Sequence, residues 1–166
     1  FKNIGPARKL CAEQGQRTIF NFLGPLLNPA RPTVQLVGVP RPALCEPMAK
    51  ALQSLGLRRA MVVSGSVPEP GESGAEPRWM DEVSTLGKNW VAEFHHAQAF
   101  HQGEWPVSSY PLQPATLSDL AGGDRFANAE IVRRILGGAE RGPKRDAVLL
   151  GAGTALFLAG SAKSVA

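Results

Sequence analysis

The feature that most constrains this chain is a strand, helix and second strand in close succession. Val34 to Val39 (VQLVGV) is a short apolar run bounded by Pro32 and Pro40, the pattern of a buried strand. Leu44, Met48, Ala51, Leu52 and Leu55 then recur at helical spacing, and Gly56 follows. This predicts an amphipathic helix that packs on a sheet and stops at the glycine. Ala60 to Val63 (AMVV) is a second apolar strand. Strands joined through a helix run parallel, with a right-handed crossover expected. The predicted class is therefore α/β, with a central, mostly parallel sheet flanked by helices.

The rest of the chain is more broken. Pro6 and Gly15 frame a short helix over 5–14. Thr18 is a candidate N-cap for a second short apolar segment. Gly24-Pro25 and Asn28-Pro29 then bend the chain into a structured loop. Residues 65–78 read as a Pro/Gly/Glu/Ser-rich surface loop. Met80 to Ser84 and Trp90 to Phe94 are short extended candidates around a turn at Leu86-Gly87-Lys88. Residues 95–118 carry no clear pattern. Asp124 is placed to cap a helix over 125–137, with Ala129, Val132, Ile135 and Leu136 on one face. Residues 145–161 are apolar almost all round, as in a helix buried within a larger protein.

Composition narrows the function classes. With 43% hydrophobic and 19% charged residues, a 166-residue chain can bury a core and is too apolar to be disordered. The net charge of +4 is spread over separate basic residues, so nucleic-acid binding is not indicated. Cys11 and Cys45 lack metal-type spacing and fit free thiols in a reducing compartment. The apolar stretch Ala147 to Ala159 is too short for a membrane span, and a cytoplasmic location is the expectation. His95, His96 and His101 form no metal set and read as surface. The chain begins at Phe1 and stops just after a helical pattern, so a portion of a longer protein is expected.

Three groups of residues carry candidate chemistry. The segment Arg17-Thr-Ile-Phe-Asn-Phe-Leu-Gly-Pro-Leu-Leu-Asn-Pro-Ala30 holds Gly24-Pro25, where a missing side chain lets a flat ligand approach the backbone. Asn21 and Asn28 can fix its turns. Taken alone, the segment reads first as an ordinary turn between helices. Asp81-Glu82 is a pair of adjacent carboxylates able to bind Mg²⁺ directly or through water. On an extended backbone the two would point to opposite faces, so a turn or bulge must bring them together. Arg8 carries a planar fork that matches a carboxylate; without further context it is an exposed helical Arg.

These segments resemble the anthranilate phosphoribosyltransferase family. Besides the 17–30 block, the matches are Phe1-Lys-Asn-Ile-Gly-Pro-Ala-Arg8, Val34 to Val39, Asp81-Glu82-Val-Ser84, Gly122-Gly-Asp with Asn128-Ala129, and Arg145-Asp-Ala-Val-Leu-Leu150, all in family order. The resemblance implies that residues 1–166 form a partial α/β catalytic domain. That domain would be of the nucleoside phosphorylase and phosphoribosyltransferase type, incomplete at its N-terminal side. It implies Arg8, Gly24 and Pro25 at the anthranilate and Asp81 and Glu82 at Mg²⁺, with no covalent catalytic residue. Arg8 and Arg17 lie further apart than the family pattern, so Arg17 is the alternative carboxylate ligand.

The implied reaction transfers the phosphoribosyl group of phosphoribosyl pyrophosphate to anthranilate in tryptophan biosynthesis. The family's Gly-Thr-Gly-Gly-Asp phosphate loop and Lys-His-Gly-Asn segment do not occur in these residues. The helical domain that mediates the family's homodimer is expected outside them, and the 166 residues alone are expected to be inactive. The competing readings are a non-catalytic nucleic-acid-binding relative of the same fold and a nucleoside phosphorylase. Two glycine motifs are set aside. Gly122-Gly123-Asp124 reads as a loop and N-cap rather than a phosphate loop. Gly151 and Gly153 lack dinucleotide-fingerprint spacing and are expected to serve close helix packing.

Overall fold

A computed structural model describes residues 4–16, 18, 22–68, 77–96 and 100–165. The chain divides into two compact units, residues 1–33 and 34–166. In the first, helix α1 (Gly5–Glu13) carries a proline in its opening turn, and Gly15 beyond its end adopts a left-handed φ of +68°. Helix α2 (Leu23–Leu26) is a single turn with Phe22 at its N-cap. Thr18 is therefore not the cap of this helix, and Gly24-Pro25 lies within a helical turn rather than a loop. Asn28 does fix the following turn: its Oδ1 accepts the Ala30 N–H at 3.0 Å. Arg17 and Asn21 fall outside the described residues.

The second unit is built on five strands: β1 (Val34–Gly38), β2 (Arg59–Val67), β3 (Arg78–Met80), β4 (Asn89–His95) and β5 (His101–Trp105). The order is β1-β2-β4-β5, with β3 also paired to β2. β1 and β2 are parallel, as the sequence pattern requires. The link between them is a short 3-10 turn (Pro42–Leu44) and helix α3 (Cys45–Ser54).

The remaining three pairings are antiparallel. The sheet is thus mixed, not mostly parallel. Among the described residues, no helix lies between β2 and β3, β3 and β4 or β4 and β5, and links shorter than a helical crossover return the chain antiparallel. The supposed loop from residue 65 begins later, because Gly65, Ser66 and Val67 remain in β2, buried and paired with β3. β5 escaped the sequence pattern because it is an edge strand. His101, Gln102 and Glu104 are exposed, so its residues need no apolar alternation.

Side chains alternate across the sheet and divide its core in two. On one face, Ala60, Val62, Ala92 and Phe94 are fully or almost fully buried. Helix α3, which packs on β2 and β4, buries Cys45, Met48, Ala49 and Leu52. On the other face, Met61, Val63 and Val91 cluster with Val83, Val107 and two residues of helix α6 (Pro143–Ala159), Leu150 and Leu158.

Helix α6 is not buried all round as expected. It buries one stripe, Asp146, Leu150, Thr154 and Leu158, while Val148, Leu149 and Leu156 are exposed. The i, i+4 spacing of that stripe is what a helix lying on a single sheet face requires. Helix α4 (Leu117–Leu120) is a single turn with Thr116 at its N-cap, and helix α5 (Arg125–Leu136) is capped by Asp124, whose carboxylate accepts the Phe126 and Ala127 N–H groups at 2.9 Å. Its expected apolar face is largely exposed, with Val132 and Leu136 uncovered. Gly153 meets the chain's own tail, its missing Cβ 2.8 Å from the Val165 carbonyl oxygen, whereas Gly151 has no close neighbour. The expected close packing holds for Gly153 alone. No described helix is long and apolar enough to cross a membrane.

Arg59 ties the sheet to the end of α6. Its guanidinium donates to Glu93 Oε1 at 2.7 and 2.9 Å and to the Phe157 carbonyl at 3.0 Å, and it stacks over the Phe157 ring. The pair is shielded, with side chains only 15% and 21% exposed. Arg59→Ala removes these bonds and leaves Glu93 without its partner. We expect it to lower the unfolding free energy by about 2–4 kcal/mol, measured by urea denaturation.

Candidate active site

Two glycines shape the candidate site in the second unit. Gly38 ends β1, and a Cβ built there would stand 1.6 Å from the Asp81 carbonyl oxygen. Gly65 lies in β2, and a Cβ there would stand 2.5 Å from the Glu82 carbonyl oxygen and 2.6 Å from the Ser84 Cβ. The loop after β3 therefore lies directly on the backbone of the parallel pair, in space that any side chain would fill. This contact lies toward the C-terminal ends of β1 and β2, the position where open α/β sheets bind ligands.

Asp81 and Glu82 sit on this seated loop, both exposed and at bends rather than in extended strand. The bend is the departure from strand geometry that a converging pair needs. Among the described residues, neither carboxylate has a hydrogen-bond or ion-pair partner. Although the residue as a whole is exposed, partial loss of water around its carboxyl, and then the neighbouring Asp81 charge, raise the pKa of Glu82 above its ordinary 4.5. Two carboxylates that repel each other and lack a protein cation make a site that a cation would relieve.

The donor set suits Mg²⁺ of one kind only. No group of three or more metal-ligating side chains occurs among the described residues, so the protein offers no closed cage. A pair of carboxylates fits the pattern in which Mg²⁺ keeps waters and shares phosphate oxygens with a substrate.

The loop is held from behind by a buried polar network. Asn89, the first residue of β4, is fully buried. Its Oδ1 accepts the Ser84 N–H at 2.7 Å, and its Nδ2 donates to the Ser84 carbonyl at 3.1 Å. Ser84 is also fully buried; its hydroxyl donates to the Ser66 carbonyl at 2.6 Å and accepts the Leu86 N–H at 3.1 Å. Sequence reasoning missed Gly38, Gly65 and Asn89. For the glycines a signal existed, since glycine within a strand marks a close backbone approach. For Asn89 the only signal was a polar residue opening an apolar strand.

The other expected site residues belong to the first unit. Arg8 is an exposed residue of α1. Gly24 is exposed, with nothing within 4 Å of where its Cβ would stand, and Pro25 beside it is half-buried. This leaves the backbone at Gly24 open to a flat ligand. His95, His96 and His101 are exposed, as expected of surface residues. Gly122 to Asp124 forms the expected loop and cap, with the Asn128 side chain bonded to both backbone groups of Gly123.

Comparison with known proteins identifies the family. The model of a glycosyl transferase family, a/b domain, matches residues 1–166. The chain belongs to this family. It is 44% identical over 161 residues to an anthranilate phosphoribosyltransferase of Lacticaseibacillus casei, a match covering 96% of the chain and 42% of that relative. A protein of the same name from Rubrobacter xylanophilus is 39% identical over 172 residues, covering 99% of the chain and 44% of the relative. One from Roseiflexus castenholzii is 43% identical over 156 residues, covering 94% and 42%. The chain thus spans less than half the length of the curated relatives it matches.

Two outcomes test the geometry of the acidic loop in this family member. Gly38→Ala must displace the Asp81 backbone, and we expect a loss of about 1–3 kcal/mol by chemical denaturation. Gly103→Ala, in β5 with no neighbour within 4 Å, is the control and should be far milder. The second outcome concerns pH. Because the pKa of Glu82 is raised on folding, the native state binds its proton more tightly than the unfolded chain does. Its contribution to stability is therefore lost as pH rises from below 4.5 through the higher folded value. Glu82→Gln should raise the melting temperature slightly at pH 7 and have no such advantage well below pH 4.5.

Proposed function

We propose that residues 1–166 form the α/β portion of the catalytic domain of an anthranilate phosphoribosyltransferase. Such an enzyme joins the amino nitrogen of anthranilate to the anomeric carbon of phosphoribosyl pyrophosphate. The bond from that carbon to pyrophosphate breaks, pyrophosphate leaves, and the nitrogen gives up a proton. The observation that carries the reading is the Asp81-Glu82 pair, without a polar partner among the described residues and seated on Gly38 and Gly65 toward the C-terminal ends of the parallel strands. The names and identities of the relatives supply the substrate pair.

In this reading Asp81 and Glu82 would hold Mg²⁺ beside the pyrophosphate group of the substrate. When bound, the ion neutralises charge developing on the departing pyrophosphate. The chain's own residues orient and position. Arg8 offers its fork to the anthranilate carboxylate, with Arg17 as the alternative, and Gly24-Pro25 lets the flat ring lie against backbone. No covalent nucleophile is required, because rate comes from alignment of the amine with the anomeric carbon. The complete protein is proposed to work as a soluble cytoplasmic homodimer whose dimer contacts lie outside these residues.

Asp81→Ala in the complete protein should lower kcat/KM by about 100-fold, with partial recovery at raised Mg²⁺ concentration. Unaltered metal dependence would count against the metal pair. Arg8→Ala should raise KM for anthranilate by about 10- to 100-fold and leave KM for phosphoribosyl pyrophosphate nearly unchanged. If Arg17→Ala shows that selectivity instead, the carboxylate role moves to Arg17. An Mg²⁺-independent, salt-sensitive shift of DNA, with no pyrophosphate released from the two substrates, would favour a nucleic-acid-binding relative.

A further inference from the structure

We propose that Asn89 is a positioning residue for the acidic pair: its side-chain amide pins Ser84 and so holds Asp81 and Glu82 in the conformation that binds a divalent cation. The inference rests on the metal role proposed above for those carboxylates. Its starting point is an unusual two-point contact. The Asn89 amide accepts from the N–H and donates to the carbonyl of one residue, Ser84. It therefore takes the place of a strand partner for a residue that has none.

That contact closes a set of restraints on one short loop. At its start, Met80 pairs with Gly65 in β2. Across its middle, Gly38 and Gly65 admit the Asp81 and Glu82 carbonyls against the strands. At its end, Ser84 is held by the Asn89 amide and by its own hydroxyl between Ser66 and Leu86. Gly87 then lets the chain run close over Ser66, where a Cβ would meet the Ser66 hydroxyl at 2.4 Å. The two carboxylates have no hydrogen bonds or ion pairs of their own among the described residues. Their position is set through the backbone, which Val83, buried in the core, and Ser84, held by Asn89, anchor directly after Glu82.

The chemistry of the amide is specific. An aspartate in the same place could accept the Ser84 N–H, but its second oxygen would face the Ser84 carbonyl with no proton between them. Both partners are fully buried, so a lost bond is not replaced by water. A residue that orients metal ligands without touching the metal should alter affinity more than the turnover of the loaded enzyme.

The test uses the complete protein and Mn²⁺ as the probe, titrated in the presence of pyrophosphate by electron paramagnetic resonance. Hydrogen exchange over residues 81–86 is read in parallel. Asn89→Asp and Asn89→Ala are compared with Asp81→Ala and with Asn128→Ala, which removes a similar two-point contact elsewhere in the unit. We expect Asn89→Asp to weaken Mn²⁺ binding about tenfold, to speed exchange over 81–86, and to leave kcat at saturating Mg²⁺ nearly intact. Asn128→Ala should do none of these.

Unchanged exchange over 81–86 overturns the proposal whatever the metal does. Faster exchange with undiminished Mn²⁺ binding, while Asp81→Ala does weaken it, also overturns the proposal and leaves Asn89 a purely structural residue. If Asp81→Ala leaves Mn²⁺ binding intact, the metal reading fails instead, and exchange alone decides whether Asn89 pins the loop. Should Asn89→Asp not fold, Asn89→Ala, which removes both bonds to the Ser84 backbone without adding a charge, carries the same comparisons.

Discussion

The acidic loop touches the sheet backbone to backbone, and nearly everything of functional interest depends on that contact. A carbonyl cannot approach a strand so closely if a side chain intervenes. Gly38 and Gly65 remove the obstacle at two neighbouring strands, one for each carboxylate-bearing residue. The arrangement places negative charge at the C-terminal end of a parallel strand pair, the position where open α/β sheets bind ligands. The two carboxylates themselves are not held; the loop is anchored just after them, by Val83 in the core and by the Ser84–Asn89 network.

β2 is the element that makes this possible. It pairs with β1, β3 and β4, and its buried residues run from Ala60 to Val67. One of its faces packs against α3 and the other against α6. Near its start, Arg59 joins β4 and the last turn of α6 through Glu93 and the Phe157 carbonyl. Toward its end, Gly65 and Ser66 receive the acidic loop. The strand that builds the core thus also supplies the floor of the site, which couples the position of the loop to the packing of the domain.

The apolar surface left on α5 and α6 has a different character. Phe126, Val132, Leu136, Val148, Leu149 and Leu156 are all substantially exposed. Each helix follows the rules of an amphipathic segment only in part: α6 buries one stripe, and α5 buries none of its residues. The sequence pattern anticipated α6 as a helix surrounded by protein, and its composition still carries that signature. The sheet on which it rests covers just one side.

Much of the α/β core was legible in the chain itself. Local periodicity determined the β1-α3-β2 unit, because an apolar strand, an amphipathic helix and a second apolar strand leave few other arrangements. The Asp124 cap and the boundaries of α1 followed from residue chemistry at helix ends. The ordered motifs carried the family, and Asp81-Glu82 stood out as adjacent carboxylates. Tertiary structure alone decided the rest. The sheet is mixed because its later connections are too short for helices, and β5 is an edge strand whose exposed residues needed no alternation. The pairing of Asn89 with Ser84, and of Gly38 and Gly65 with the acidic loop, joins residues whose relation depends on strand register. Register is set by the packing of the whole sheet, and no local pattern records it.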